Sequence, residues 1–115
     1  MTLLTLPWPP SVNGYWRSYQ GRNILSKAGR AYQQAGAAAL AGQQVPQLGT
    51  ARVQVTLTLY PPDRRRRDVD NYIKAPLDLL TKAGLWADDC QIRRLITEFE
   101  EPCKGGRLEV EVVTL

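Results

Sequence analysis

Between residues 51 and 60 the chain alternates cleanly. Val53, Val55, Leu57 and Leu59 face one way, and Arg52, Gln54, Thr56 and Thr58 the other. Period two over this length predicts a strand with one buried face, and Pro61-Pro62 ends it. A shorter alternation of Leu4, Leu6 and Trp8 predicts a strand over 2–8, which Pro7, Pro9 and Pro10 end or confine to an edge. Residues 11–25, crowded with aromatic and basic side chains, read as a loop with a turn signal at Asn13-Gly14. Ser26 can cap a helix over roughly 27–42. Its Ala28, Ala31, Tyr32, Ala35 and Ala39 form a narrow face of small residues, suited to close packing on a sheet or another helix. Residues 45–49 read as a loop. A second helix is expected from about Asn71 to Lys82, ended by Gly84, with Tyr72, Ile73, Pro76, Leu77 and Leu80 buried. Pro76 would then fall past the first turn, where it costs a backbone bond, so an irregular start is expected. Residues 91–100 and 107–113 predict two final strands, joined through Lys104-Gly105-Gly106 as an antiparallel hairpin. The expected fold is α+β. A single domain over 1–115 carries a mixed sheet of about four strands with two main helices, in the order β-α-β-α-β-β.

Composition narrows the function classes. No apolar run approaches the ~18 residues of a membrane span. The first ten residues lack the basic start of a secretion signal, and a cytoplasmic protein is expected. Two cysteines without any histidine argue against a structural zinc site, and both thiols are expected to be reduced. The absence of histidine removes the commonest general base, so catalysis would fall to carboxylates, lysine, a metal or water. The net charge of +4 is unevenly spread: residues 1–67 hold nine Arg and Lys against one acid, and residues 68–115 six against ten. A basic half points to a polyanionic partner, nucleic acid above all. Tyr15, Trp16 and Tyr19 lie among Arg17 and Arg22, a mixture that suits base stacking and phosphate binding or, equally, rings that cover the core.

The stretch RRRRDVDNYIK, residues 64–74, sets four arginines beside two carboxylates. On an extended backbone Asp68 and Asp70 project to one side, with Val69 turned inward. Asp70 and Lys74 meet if the helix begins near Asp70 or Asn71. Asp88 and Asp89 form a second pair before another strand. Clustered carboxylates without histidine suit a hard cation such as Mg²⁺, which keeps several waters and needs only one to three of them. The arginines would then bind phosphates flanking the one on which the metal acts, as in a phosphodiesterase acting on nucleic acid. The competing interpretation is that the acids form exposed ion pairs with Arg64 to Arg67, each worth ~0–1 kcal/mol.

The segments LPWPPSVN (6–13), DRRRRDVDNYIKAPLDLLTKAGLWADD (63–89) and KGGRLEV (104–110) resemble the RusA family of Holliday junction resolvases, and length and segment order agree over nearly the whole chain. The resemblance implies a homodimeric, Mg²⁺-dependent endodeoxyribonuclease that nicks paired strands across four-way junction DNA. It implies one or two Mg²⁺ per active site, with Mn²⁺ able to substitute, and no small-molecule cofactor or membrane partner. By residue match it assigns metal binding and catalysis to Asp68, Asp70 and Asp89, and a catalytic role to Lys74. Arg64, Arg65, Arg66, Arg67, Asn71 and Lys74 are implied in DNA binding, and Arg67 and Asn71 could position either DNA or the acids. Spacing alone does not separate Asp88 from Asp89. Pro76 departs from family members that carry alanine there, which bears on the Asp70–Lys74 geometry. No role carries over to Arg17 or Arg22. Alternative functions are a non-catalytic branched-DNA-binding module, a less specific nuclease acting on flaps or other branched DNA, and an RNA-binding protein of similar charge.

Overall fold

The computed structural model describes residues 1–115. In chain order the elements are β1 (Thr2–Pro7), α1 (Val12–Tyr15), β2 (Trp16–Tyr19), β3 (Arg22–Leu25), α2 (Lys27–Ala41), β4 (Val53–Tyr60), α3 (Lys74–Lys82), β5 (Ile92–Phe99) and β6 (Arg107–Thr114). Two short 3-10 turns, Val69–Tyr72 and Asp89–Gln91, precede α3 and β5. The α+β class and the mixed four-stranded sheet agree with expectation. No helix is long and apolar enough to cross a membrane.

The sheet order is β1-β6-β4-β5. Strand β4 is central: Val53, Val55, Leu57 and Leu59 are all fully buried, each worth about 1.5–3 kcal/mol relative to exposure. β4 runs antiparallel to β6 and parallel to β5, and β6 runs antiparallel to β1. The expected β5–β6 hairpin does not form, and the reason is legible in the two strands. Leu108, Val110 and Val112 give β6 a buried face, whereas β5 carries Arg93, Arg94 and Glu98 and is mostly exposed. The apolar strand takes the interior position and the charged one the edge. Residues 100–106 cross the end of β4 instead of turning tightly, held by Glu100 N–H on Leu59 O (2.8 Å) and Cys103 N–H on Pro61 O (2.9 Å). A parallel β4–β5 pair needs a long crossover, and residues 61–91 supply it, α3 included.

Two further expectations are corrected. Residues 11–25 are a one-turn helix and a β-hairpin, not an irregular loop. The face of α2 that packs inward is Gly29, Tyr32, Gly36 and Leu40, whereas Ala28, Ala31 and Ala35 stay exposed. Glycine wins because the helix lies too close to its neighbours for any side chain. A Cβ on Gly36 would overlap the Leu79 side chain, and one on Gly29 would come within 2.5 Å of the Tyr15 carbonyl oxygen. That carbonyl cannot easily retreat, because the Ser26 N–H (3.0 Å) and Oγ (3.1 Å) both donate to it. Gly29→Ala is therefore expected to destabilise the fold by about 1–3 kcal/mol, although helix propensity alone favours alanine. A urea midpoint at or above wild type would show that the contact relaxes freely.

Candidate DNA-cleavage site

The acid-bearing loop leaves the end of β4 and crosses the sheet edge before α3. Strands β1, β4 and β5 all run in one direction, so their C-terminal ends lie together. Trp8, just past β1, and Phe99, at the end of β5, flank Tyr72 from the loop, with ring centroids 5.1 Å and 6.4 Å away. This aromatic row fastens the turn that carries Asp70 and Asn71. Val69 packs against the core, as expected, but it and Asp70 lie in the 3-10 turn and not on the extended backbone expected to carry both acids. Asp68 is extended and caps the 3-10 turn only through its carbonyl, to which Asn71 N–H donates at 3.1 Å.

The four arginines do different jobs. Arg67 is mostly buried, with 11% of its side chain exposed. Its guanidinium binds the Asp63 carboxylate at 2.8 Å and donates to the carbonyls of Asp63 and Arg65. It also lies 5.5 Å over the Trp8 ring. These contacts brace the loop. The Asp63 carboxyl is held below its ordinary pKa, first by the Arg65 N–H and then by Arg67 and Arg65. Arg64 pairs with Glu101 at 3.1 Å, and Arg65 lies 3.6 Å from Asp63, both with their side chains about four-fifths exposed. Arg66 is exposed with no ion pair. None of the four is paired with Asp68 or Asp70, so the interpretation in which these acids merely neutralise the arginines does not hold. Both carboxylates project to solvent without a counter-ion, and the half-buried Asp89 also lacks one.

Lys74 is the first residue of α3, preceded by the 3-10 turn. The expected meeting of Asp70 and Lys74 therefore fails: the two do not share a helix. The lysine pairs forward with Asp78, Nζ to Oδ1 3.0 Å. The late start also resolves Pro76. It occupies the third position of α3, where the N–H would have no helical acceptor, so the proline costs no bond. Asp78 also sets a negative charge near the Tyr15 hydroxyl. That hydroxyl accepts from Gln33 Nε2 (2.9 Å), and Gln33 Oε1 accepts from Lys82 Nζ (3.0 Å). Burial, foremost, pushes the Tyr15 phenol above its ordinary pKa. A polar chain thus runs from Lys82 through Gln33 on α2 to Tyr15, beside the separate Lys74–Asp78 pair. Sequence reading missed Asp78 and Gln33, for which only the Lys74–Asp78 spacing of four was a signal; of its two readings of Tyr15, the ring that covers the core is the one observed.

The second acid pair is resolved by its turn. Asp88 caps it: its carboxylate accepts the Cys90 N–H at 2.8 Å, which foremost holds its pKa down. Gln91 closes the capping box, accepting from the N–H groups of Ala87 and Asp88 and donating to the carbonyls of Gly49 and Ala51. Every polar atom of this buried side chain is satisfied, and the turn is tied to the loop before β4. Asp88 is thereby committed to local structure, and Asp89 is not. Cys90 and Cys103 are free.

No three acidic or cysteine side chains are gathered tightly enough in the chain to enclose a metal ion. The donor set still fits a hard cation: Asp68 and Asp70 are exposed, unpaired oxygen donors close in sequence, and Mg²⁺ accepts one or two carboxylates and completes its shell with water.

The profile of the family described as endodeoxyribonuclease RusA matches residues 7–113. The crossover junction endodeoxyribonuclease of Enterobacteria phage 82 is 42% identical over 113 residues, covering 97% of this chain and 93% of its own. The protein of that name from Escherichia coli K12 has the same identity and coverage, and that of Shigella sonnei is 41% identical over the same span. With the match running through the arginine loop, both acid pairs and the final strand, the chain belongs to the RusA endodeoxyribonuclease family.

Proposed function

We propose that this protein is a Mg²⁺-dependent endodeoxyribonuclease that resolves four-way DNA junctions by paired, symmetric nicks. The observation that carries the reading is the pair of unpartnered carboxylates, Asp68 and Asp70, beside four arginines of which three are engaged elsewhere and none with these acids. Two exposed carboxylates without a counter-ion offer a divalent cation oxygen donors at no cost in broken ion pairs. The relatives, named as crossover junction endodeoxyribonucleases, point the same way.

Asp68, Asp70 and Asp89, which are not gathered around one point in this structure, would hold the metal when it binds, one or two ions per site, with Mn²⁺ able to replace Mg²⁺. When bound, Mg²⁺ supplies Lewis acidity at the scissile phosphate and a more acidic water. Arg64, Arg65 and Arg66 contact the flanking phosphates, and Arg67 keeps the loop in shape. Asn71 positions the acids. Lys74 donates to a non-bridging oxygen as negative charge develops. Cleavage leaves a 5′-phosphate and a 3′-hydroxyl. Symmetric cutting of a two-fold substrate calls for a C2 homodimer. The exposed Ala28, Ala31 and Ala35, beside Pro9 and Pro10, offer it an apolar contact face.

The test is cleavage of a labelled synthetic four-way junction with and without Mg²⁺, with sedimentation in the same buffer. Paired nicks that need the metal, an uncut linear duplex and a dimeric species are expected. Tight junction binding with no cutting in Mg²⁺ or Mn²⁺ would reduce the protein to a binding module. A monomer that makes paired cuts would remove the dimer.

A further inference from the structure

The β2–β3 hairpin stands apart from the main sheet and has no part in the site described so far. Its register pairs Trp16 with Leu25, Arg17 with Ile24, Ser18 with Asn23 and Tyr19 with Arg22. Opposed residues of an antiparallel pair share a face. Trp16 and Leu25 pack on the core, so the opposite face, carrying Arg17, Tyr19 and Arg22, looks outward. Arg17 lies 5.5 Å over the Tyr19 ring, and half of Tyr19 is exposed. The turn at Gln20 (φ 49°) and Gly21 (φ 74°) is of the tight kind that keeps strand twist, so the tip is defined by its backbone.

The base is rigid. Ser26 Oγ donates to the carbonyls of Gly14 and Tyr15, Arg30 Nη1 donates to Leu25 O at 3.0 Å, and Trp16 stacks edge-on against the buried Tyr15. Tyr15, the residue just before β2, accepts from Gln33, which in turn accepts from Lys82 at the end of α3, the helix that begins with Lys74. The hairpin is therefore rooted against the polar chain that reaches α3, and its strands extend about 13 Å, four residues at strand rise.

Charge excludes a self-contact. No acid occurs anywhere before Asp63, so two copies of this face meeting across a two-fold axis would oppose arginines without compensation. An arginine stacked on tyrosine keeps its edge N–H groups free for phosphate, while the ring offers its other side to a base.

We propose that the outward face of the β2–β3 hairpin reads the branch point of junction DNA, a role that rests on the function proposed above. Tyr19 stacks on the exposed terminal base pair of an arm, and Arg17 and Arg22 hold the adjoining phosphates. An intact duplex has no such exposed pair at internal positions. The aromatic contact therefore separates branched from linear DNA, whereas the arginine contacts do not.

The experiment measures affinity without divalent metal, so that it does not depend on cutting. A four-way junction with 2-aminopurine beside the crossover and a linear duplex of the same sequence are titrated with wild type, Tyr19→Ala, Tyr19→Phe and Arg17→Gln. Tyr19→Ala is expected to lose about tenfold in junction affinity and to leave the 2-aminopurine signal of bound junction unquenched, with duplex affinity within about twofold of wild type. Tyr19→Phe should behave as wild type. Arg17→Gln should weaken both DNAs and lower the salt slope by about 0.9. Equal loss on both DNAs, or no change in either, overturns the role of Tyr19, and so does a shift of Tyr19→Ala to a smaller species in sedimentation. A wild type that binds the junction through Tyr19 but never cuts it would leave this inference standing and sink the nuclease reading.

Discussion

Asp70→Asn should bring paired nicking of a four-way junction down by about a thousandfold or more, the several kcal/mol that a correctly held metal contributes to phosphoryl chemistry. The substitution keeps shape and removes one charge. Asp70 is exposed and forms no ion pair, so the denaturation midpoint should stay near wild type. Junction affinity should hold or rise, because a negative charge has been taken away from beside a phosphate. Single-turnover cleavage and a metal-free binding titration on the same preparation separate these effects. A variant that cuts normally in Mg²⁺ would end the site assignment. The same experiment on the second acid pair has a sharper internal control. Asp89→Ala should lose cleavage, whereas Asp88→Ala should lose mainly the cap, about 0.5–2 kcal/mol of stability, and retain most cutting. The reverse pattern would move the functional carboxylate to Asp88.

That distinction could not be read from Asp88-Asp89 as letters, because it depends on which carboxylate the Cys90 N–H claims. Legibility elsewhere followed the same logic. Strand β4 was plain because a period of two with one face apolar admits one burial pattern. The positions of β5 and β6 were missed because strand order is a contest between strands. The composition of both had to be weighed against β4, and loop length alone misled. The β2–β3 hairpin was hidden by short strands whose distal halves are exposed on both faces, leaving little hydrophobic pattern. Only the Gln20-Gly21 pair between two four-residue runs signalled it. On α2 the alanines drew the eye, yet the packing face runs through Gly29 and Gly36, where there is no side chain to count. The acids, Lys74 and the arginines were legible as types. Their partners were not, since Arg67 on Asp63 and Lys74 on Asp78 depend on where the helix begins.

Lys74→Ala carries the second large expected effect, a loss of about a hundredfold to a thousandfold in cleavage rate, the usual cost of removing one donor to developing charge. Junction affinity should change by no more than a few-fold. The ammonium is exposed enough to reach a phosphate, but it is held at 3.0 Å by Asp78, which is itself only 21% exposed and lies near Tyr15. A lysine fixed in this way has little rotamer entropy left to lose when charge develops beside it, so its contribution is concentrated in the transition state. If Lys74 were instead one more phosphate anchor, the alanine variant would bind junctions more weakly and the slope of log affinity against log salt would fall by about 0.9. The rate of bound complexes would then survive. The two roles therefore predict opposite splits between affinity and rate. Asp78→Asn makes the comparison independent of lysine charge: it frees the ammonium without removing it. A positioned lysine then costs rate at constant salt slope, and an anchor costs nothing in either.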